Sequence, residues 1–157
     1  ERCQAGDKWE WEGVTFSYRH PVTQDEVNAN DASCILEVRS ENCSLLVTGD
    51  AGKAVEAQLL DSSRPVDWFI AGHHGSQTSN SQALLDVITP QLAVVSAGFL
   101  NAYRHPHPLV LARFKGMGAK VMNTAEKGAI FLQETDKDQC VNRSWREINR
   151  GYWSDVE

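Results

Sequence analysis

The sequence predicts a mixed α/β layer fold, on three observations. Apolar and polar residues alternate in the first fifty positions as in β-hairpins, and from Ser44 onward short apolar runs alternate with helix-periodic ones. Residues that bind metals or carry protons also follow the ends of the apolar runs, where an α/β sheet places its functional side chains. Four of the five histidines fall in two turn-like segments, Gly72-His73-His74-Gly75-Ser76 and Arg104-His105-Pro106-His107-Pro108.

Trp9-Glu10-Trp11 and Val14 to Tyr18 alternate around Gly13, which predicts a hairpin. Residues 20 to 32 read as a polar loop in which His20 is a surface residue. Cys34 to Val38 and Leu45 to Val47 flank Ser40-Glu41-Asn42 as a second hairpin. Gly52 to Leu60 reads as a helix with Val55 and Leu59 on one face, and Asp67 to Ala71 as a buried strand. Ser81 to Ile88 is a helix burying Leu84, Leu85 and Ile88, capped by Ser79 or Asn80 and stopped by Thr89-Pro90. Leu92 to Ser96 is the next buried strand. Pro108 opens a helix that ends at Gly116, with Leu111 and Phe114 turned inward. Lys120 to Met122 and Ala129 to Leu132 complete the expected strands. Beyond Asp136 the chain is charged, and Trp145, Tyr152 and Trp153 are expected to pin the terminus.

With 157 residues the chain suffices for one domain over 1–157 with its own core. Its net charge of -6 gives no bulk attraction to a nucleic-acid backbone, so any such binding must come from a local patch, a metal or a partner. No run approaches the length of a transmembrane helix. Cys3, Cys34, Cys43 and Cys140 lack the CxxC spacing of zinc ribbons, and the sequence does not choose among their three pairings. Cys34, beside Ile35 and Leu36, reads as a small buried hydrophobe. A Cys3–Cys140 bridge is where a disulfide would help most in an oxidising compartment.

The chemistry centres on Asp50, His73, His74 and His105. Carboxylate and imidazole suit Zn²⁺, Mn²⁺ or Fe, and a carboxylate can bridge two ions. Asp50 is therefore the bridging candidate, a role compatible with capping the next helix. His73 and His74, if extended, point opposite ways, so one is a metal ligand and the other either supports that ligand or faces substrate; which is which stays open. Gly75 permits a sharp turn, and Ser76 and Thr78 offer hydroxyls to an anion. Of His105 and His107, stiffened by prolines, one could donate a proton to a leaving oxygen or hold a phosphate.

Taken in order, these segments resemble the ComEC family of bacterial DNA-uptake proteins. The matching text is Asn30 to Leu36, Leu45 to Asp50, His73 to Ser79, Asn101 to Pro108, and Thr124 with Gly128-Ala129-Ile130. The resemblance runs from Cys3 to about Leu132. It implies an α/β fold that is the C-terminal half of a metallo-β-lactamase-type αββα sandwich, with a mixed sheet and flanking helices. It further implies a domain on the outer face of the inner membrane, part of a multi-pass channel for single-stranded DNA, acting as a nuclease on the strand not imported. By motif, Asp50 matches the bridging aspartate, the His73-His74 pair contains the last metal histidine, and His105 matches a histidine for substrate or proton transfer. The expected site is thus metal Asp50, His73 and His74; catalytic His74 and His105; and substrate-binding Ser76, Thr78 and His107.

The family's first metal motif, HxHxDH, has no counterpart here: no histidine precedes His20. The expectation is a half-domain with divalent Zn or Mn bound weakly or not at all, inactive alone. Its partners would be single-stranded DNA, the remainder of the channel protein including the missing half, and a second copy through an exposed apolar face. The competing reading is a non-catalytic periplasmic module that binds single-stranded DNA or a competence protein. A secreted β-lactamase or phosphocholine esterase fits HHGS but not HPHP.

Overall fold

The computed structural model describes residues 2–22 and 29–149, so Tyr152, Trp153 and part of the expected 20–32 loop lie outside the described residues. The strands and helices run β1 (Lys8–Trp11), β2 (Val14–His20), β3 (Ile35–Arg39), β4 (Ser44–Val47), α1 (Lys53–Leu59), β5 (Trp68–Ile70) and α2 (Gln82–Ile88). They continue with β6 (Leu92–Val95), α3 (Pro108–Gly116), β7 (Lys120–Asn123), α4 (Thr124–Lys127), β8 (Ile130–Glu134), β9 (Cys140–Ser144) and α5 (Trp145–Ile148).

Strands β1 to β7 form one sheet in chain order, and β8 pairs with β9 in a second. The first four strands are antiparallel, while β4, β5, β6 and β7 are mutually parallel. Loop length explains the switch. Glu12 and Gly13 turn β1 into β2 with both residues at positive φ, as a tight hairpin requires. From β4 to β7 each connection instead carries a helix, the crossover that parallel pairing needs.

Helices α1, α2 and α3 cover one face of the large sheet. Ile35, Leu46, Phe69, Ala93 and Val95 from the strands meet Val55, Leu59, Leu84, Leu85, Ile88, Val110 and Phe114 from the helices. Phe69 and Phe114 meet edge to face at 6.2 Å, a contact of about 1 kcal/mol beyond area burial. The other face holds Trp68, Leu92, Val94 and Met122, packed against Ile130 and Leu132 of the small sheet. Covered on both sides, β6 is buried at all four positions, which is why its sequence is an unbroken apolar run. The result is the expected layering of helices, mixed sheet and a second sheet.

Several expectations need correction. A further strand, β9, extends the small sheet through a segment read as charged tail; Cys140 and Val141 are its only strongly apolar residues. Trp145 lies against Gly128 but stays 53% exposed, so it is not buried as a terminal anchor. In α3 the fully buried residues are Val110 and Phe114, with Leu111 half-buried. The cap of α2 is Ser81, whose hydroxyl accepts from Leu84 N–H, and Ser79 and Asn80 serve elsewhere. Cys34 is exposed and bonded to Cys3, not a buried thiol, and Cys140 pairs with Cys43 instead of Cys3. Cys43 sits in the core beside Trp68, so its bridge ties the small sheet to the large one. His20 is fully buried, against the surface placement expected of it, and its Nδ1 donates to the Ser33 carbonyl at 3.1 Å.

Candidate functional site

Parallel strands direct all the loops that follow them to one edge, where α/β sheets place ligands. Here β4 leads to Asp50, β5 to His73 and His74, β6 to Ser96 and the 98–107 loop, and β7 to Thr124. Because β3 is antiparallel to β4, Asp31 and Ser33 enter at the same edge. Backbone bonds lock these loops together: His73 N–H donates to the Gly49 carbonyl at 2.8 Å, and His107 N–H to the Gly75 carbonyl at 2.9 Å.

Asp50 is held by its main chain, its N–H donating to the Ser33 hydroxyl at 3.0 Å. It does not cap α1. Gly52 stands at that position, and its N–H donates to Asp31 Oδ1 instead. The Asp50 carboxylate makes no hydrogen bond or ion pair among the described residues, which leaves it available to a ligand.

His73 and His74 are not extended. Both adopt left-handed backbone (φ 49° and 55°), followed by Gly75 at 80°. Three successive left-handed residues are costly outside glycine, and such strain persists only where the surroundings over-determine it. The determinant is Asn80, fully buried, whose amide accepts from Gly72 N–H and donates to the Gly72 and Ser76 carbonyls. Asn80 is fixed in turn by Glu56, also fully buried, whose carboxyl accepts from Asn80 N–H at 2.6 Å and Ser81 N–H at 2.7 Å. Arg113 donates to the Asn80 carbonyl at 2.8 Å.

The two imidazoles part company, their centroids 6.3 Å apart. His74 Nδ1 donates to the Ser96 carbonyl at 2.7 Å, which puts its proton on Nδ1 and leaves the Nε2 lone pair free for a metal or a proton. His73 Nδ1 lies 3.3 Å from Thr78 Oγ1, which is 2.9 Å from Ser76 Oγ. Ser76 is buried and spends its hydroxyl inside the loop, whereas Thr78 is exposed.

His105 comes to within 6.0 Å of His73, centroid to centroid. Its main chain is gripped by Asn101, whose Oδ1 accepts from His105 N–H at 2.8 Å and whose Nδ2 donates to the His105 carbonyl at 2.7 Å. Its Nδ1 is buried without a hydrogen-bond partner. Desolvation, and then the neighbouring His73, His74 and His107, push its pKa below the ordinary histidine value, which favours the neutral ring. His107 takes the cap of α3: its Nδ1 accepts from Leu109 N–H at 3.2 Å.

The structure thus gathers His73, His74 and His105, sets Asp50 on the adjoining loop, and gives Ser76 and His107 internal bonds. Carboxylate and imidazole donors suit Zn²⁺ or Mn²⁺ in kind. Among the described residues, however, no group of three or more His, Cys, Asp or Glu side chains converges closely enough to hold an ion. Sequence reasoning overlooked Glu56, Asn80, Ser96 and the grip of Asn101, since isolated polar residues in helices and loops carry no spacing signal. Only the polar Asn80 before a helix hinted at its role, and it was read as a cap.

No protein-family model matches the chain. It is 36% identical over 129 residues to Competence protein ComA of Neisseria gonorrhoeae, covering 80% of this chain and 19% of that protein. It is 34% identical over 135 residues to Recombination protein 2 of Haemophilus influenzae, covering 84% and 17%. ComE operon protein 3 of Bacillus subtilis is 29% identical over 132 residues, covering 83% and 17%. The chain therefore spans less than a fifth of the length of these relatives. Among solved structures, a protein of Parabacteroides distasonis described as a metal-dependent hydrolase superposes with a TM-score of 0.53 at 8% identity, covering 77% of this chain and 56% of that one. That likeness concerns the fold alone, a mixed sheet with flanking helices of the metallo-β-lactamase type. On sequence similarity over some four fifths of its length, the chain belongs to the ComEC family of competence proteins.

Proposed function

We propose that this chain is part of a DNA-uptake protein and carries one portion of a metal-dependent phosphodiesterase site that degrades the DNA strand not taken in. The observation that carries the reading is the convergence of three imidazoles from two loops, beside the Asp50 loop, at the carboxyl edge of the parallel strands. Asp50 and one of His73 and His74 would contribute ligands to a divalent Zn or Mn ion, which would activate water when bound. The remaining ligands would come from the rest of the protein, so this chain alone would bind metal weakly and cleave nothing. His105, uncharged and bordering His73, would move a proton at its ring nitrogen or meet a phosphate oxygen. Thr78 would offer its exposed hydroxyl to the same phosphate.

Both cystine bridges favour an extracytoplasmic site, since disulfides persist in oxidising compartments. No helix among the described residues is long and apolar enough to cross a membrane, so the membrane portion of the proposed channel protein would lie in other segments.

The test is cleavage of single-stranded DNA by the full-length protein with Mn²⁺ or Zn²⁺. Asp50→Ala should abolish it. Intact DNA under both metals would overturn the reading in favour of a non-catalytic DNA-binding module.

A further inference from the structure

The loop between β6 and α3 displays large apolar side chains beside the histidines. Phe99 is 78% exposed, Leu100 86% and Tyr103 82%. Soluble surfaces rarely expose three such groups together without a use for them. Nor is the loop slack. Asn101 bonds the main chain of His105 in both directions and also donates to the Gly98 carbonyl, while Leu100 and Arg104 are held in left-handed backbone. The Tyr103 ring lies nearly parallel to the His105 imidazole, 17° apart in plane with centroids at 5.9 Å, and most of its surface remains open. Next to it is a cavity of about 480 Å³ lined by His74, Ser96, Asn101, Tyr103, His105 and Thr124. That is within the range of roughly 300–1,000 Å³ for small-ligand sites.

We propose that Tyr103 is a stacking platform that seats one base of a single-stranded nucleic acid in this cavity, next to His74 and His105. The inference rests on the reading of the substrate as DNA and adds how that substrate is gripped. Three features fit a base better than a lipid chain. The aromatic face is flat and fixed by its neighbour. The cavity also presents the imidazoles of His74 and His105, whose ring nitrogens suit the hydrogen-bonding edge of a base, while Asn101 and Thr124 spend their side chains holding its wall in place. Finally, the chain's net charge is -6 and Arg104 is the single cationic residue between β6 and α3, so phosphate attraction cannot supply the affinity, whereas stacking on an aromatic ring can. Binding should accordingly depend only shallowly on salt, with a log–log slope near that of one phosphate contact, about -0.7.

The experiment measures fluorescence anisotropy of a labelled oligodeoxythymidylate with this chain in the presence of a chelator, against an abasic oligomer of equal length. Tyr103→Ala should weaken binding on the order of tenfold, Tyr103→Phe should retain it, and Trp9→Ala, on the distant aromatic hairpin, should leave it unchanged. Equal binding of the abasic oligomer, no binding by the unaltered chain, or indifference to Tyr103→Ala would overturn the proposal. Loss of phosphatidylglycerol-vesicle binding in Tyr103→Ala with oligomer binding intact would overturn it in favour of a membrane-seated loop. Because no metal is present, the outcome is independent of cleavage: an inert full-length protein sinks the phosphodiesterase reading alone, and base-independent binding sinks only this one.

Discussion

The imidazoles of His73 and His105 meet edge to face at 6.0 Å, although they come from loops after different strands. Desolvation of the His105 ring disfavours its charged form, and a neighbouring base this close adds to the effect. Its pKa in the folded chain is lowered from the ordinary 6.5, so on acidification the unfolded chain takes up the proton first. The stabilisation from a neutral His105 is complete above that ordinary value and is lost as pH falls through it toward the lowered one. Thermal unfolding of the metal-free chain across this window should show a steeper decline for the natural sequence than for His105→Gln. Identical pH profiles would show that His105 is not perturbed.

Gly75 is the joint between the two histidine loops. Its φ of +80° disfavours any side chain, and a Cβ there would stand 2.7 Å from Pro106 Cβ. Gly75→Ala should destabilise the chain by about 1–3 kcal/mol and separate His105 from His73. Chemical denaturation gives the first effect, and histidine proton chemical shifts the second.

Glu56 holds the His73-His74 loop without touching either ring. Glu56→Gln keeps its shape but offers one acceptor oxygen where two backbone N–H groups must be met, and should cost about 2 kcal/mol. Amide exchange at Asn80 and Ser81 should quicken well beyond that of the β6 core. Unchanged protection there would mean that the clamp is redundant.

The Cys43–Cys140 bridge spans 97 residues of sequence. On chain-entropy grounds a closed loop of that length contributes about 4–5 kcal/mol. Replacing both cysteines with serine should lower the unfolding midpoint sharply while leaving the Cys3–Cys34 bridge formed, as mass spectrometry of the alkylated protein would show. A near-unchanged midpoint would show that packing of the small sheet alone suffices.

Calorimetry with Zn²⁺ should find no tight stoichiometric site on this chain, but one in the full-length protein that Asp50→Ala removes. Tight binding by the chain alone would mean that Asp50 and the histidines complete a coordination sphere without outside ligands.

Much of this fold was legible because its strands and helices obey strong periodicities. Pro108 and Gly116 bound α3 as read, and the apolar run of β6 marked a strand covered on both faces. Strand β9 escaped because its stability comes from the neighbouring β8 and from Cys140, not from its own pattern. The residues of the histidine loops were visible by type and position. Their conformation was not, since left-handed backbone at His73 and His74 is imposed by Asn80 and Glu56 from other elements. Likewise His20 looked like a loop residue because nothing local shows that Ser33 will roof it.

The order of the large sheet, each strand beside its predecessor in the chain, bears on how the molecule is made. A polypeptide delivered gradually from its amino end can add one strand at a time to an existing edge, without holding a gap for a later segment. Most pairings are therefore local and close early, which favours quick assembly and limits exposed strand edges during synthesis. The exception is Cys140, whose partner Cys43 stands 97 residues earlier in the chain and packs beside the small sheet. Oxidation of that pair is thus a late event in biogenesis, a clasp fastened after the scaffold has formed.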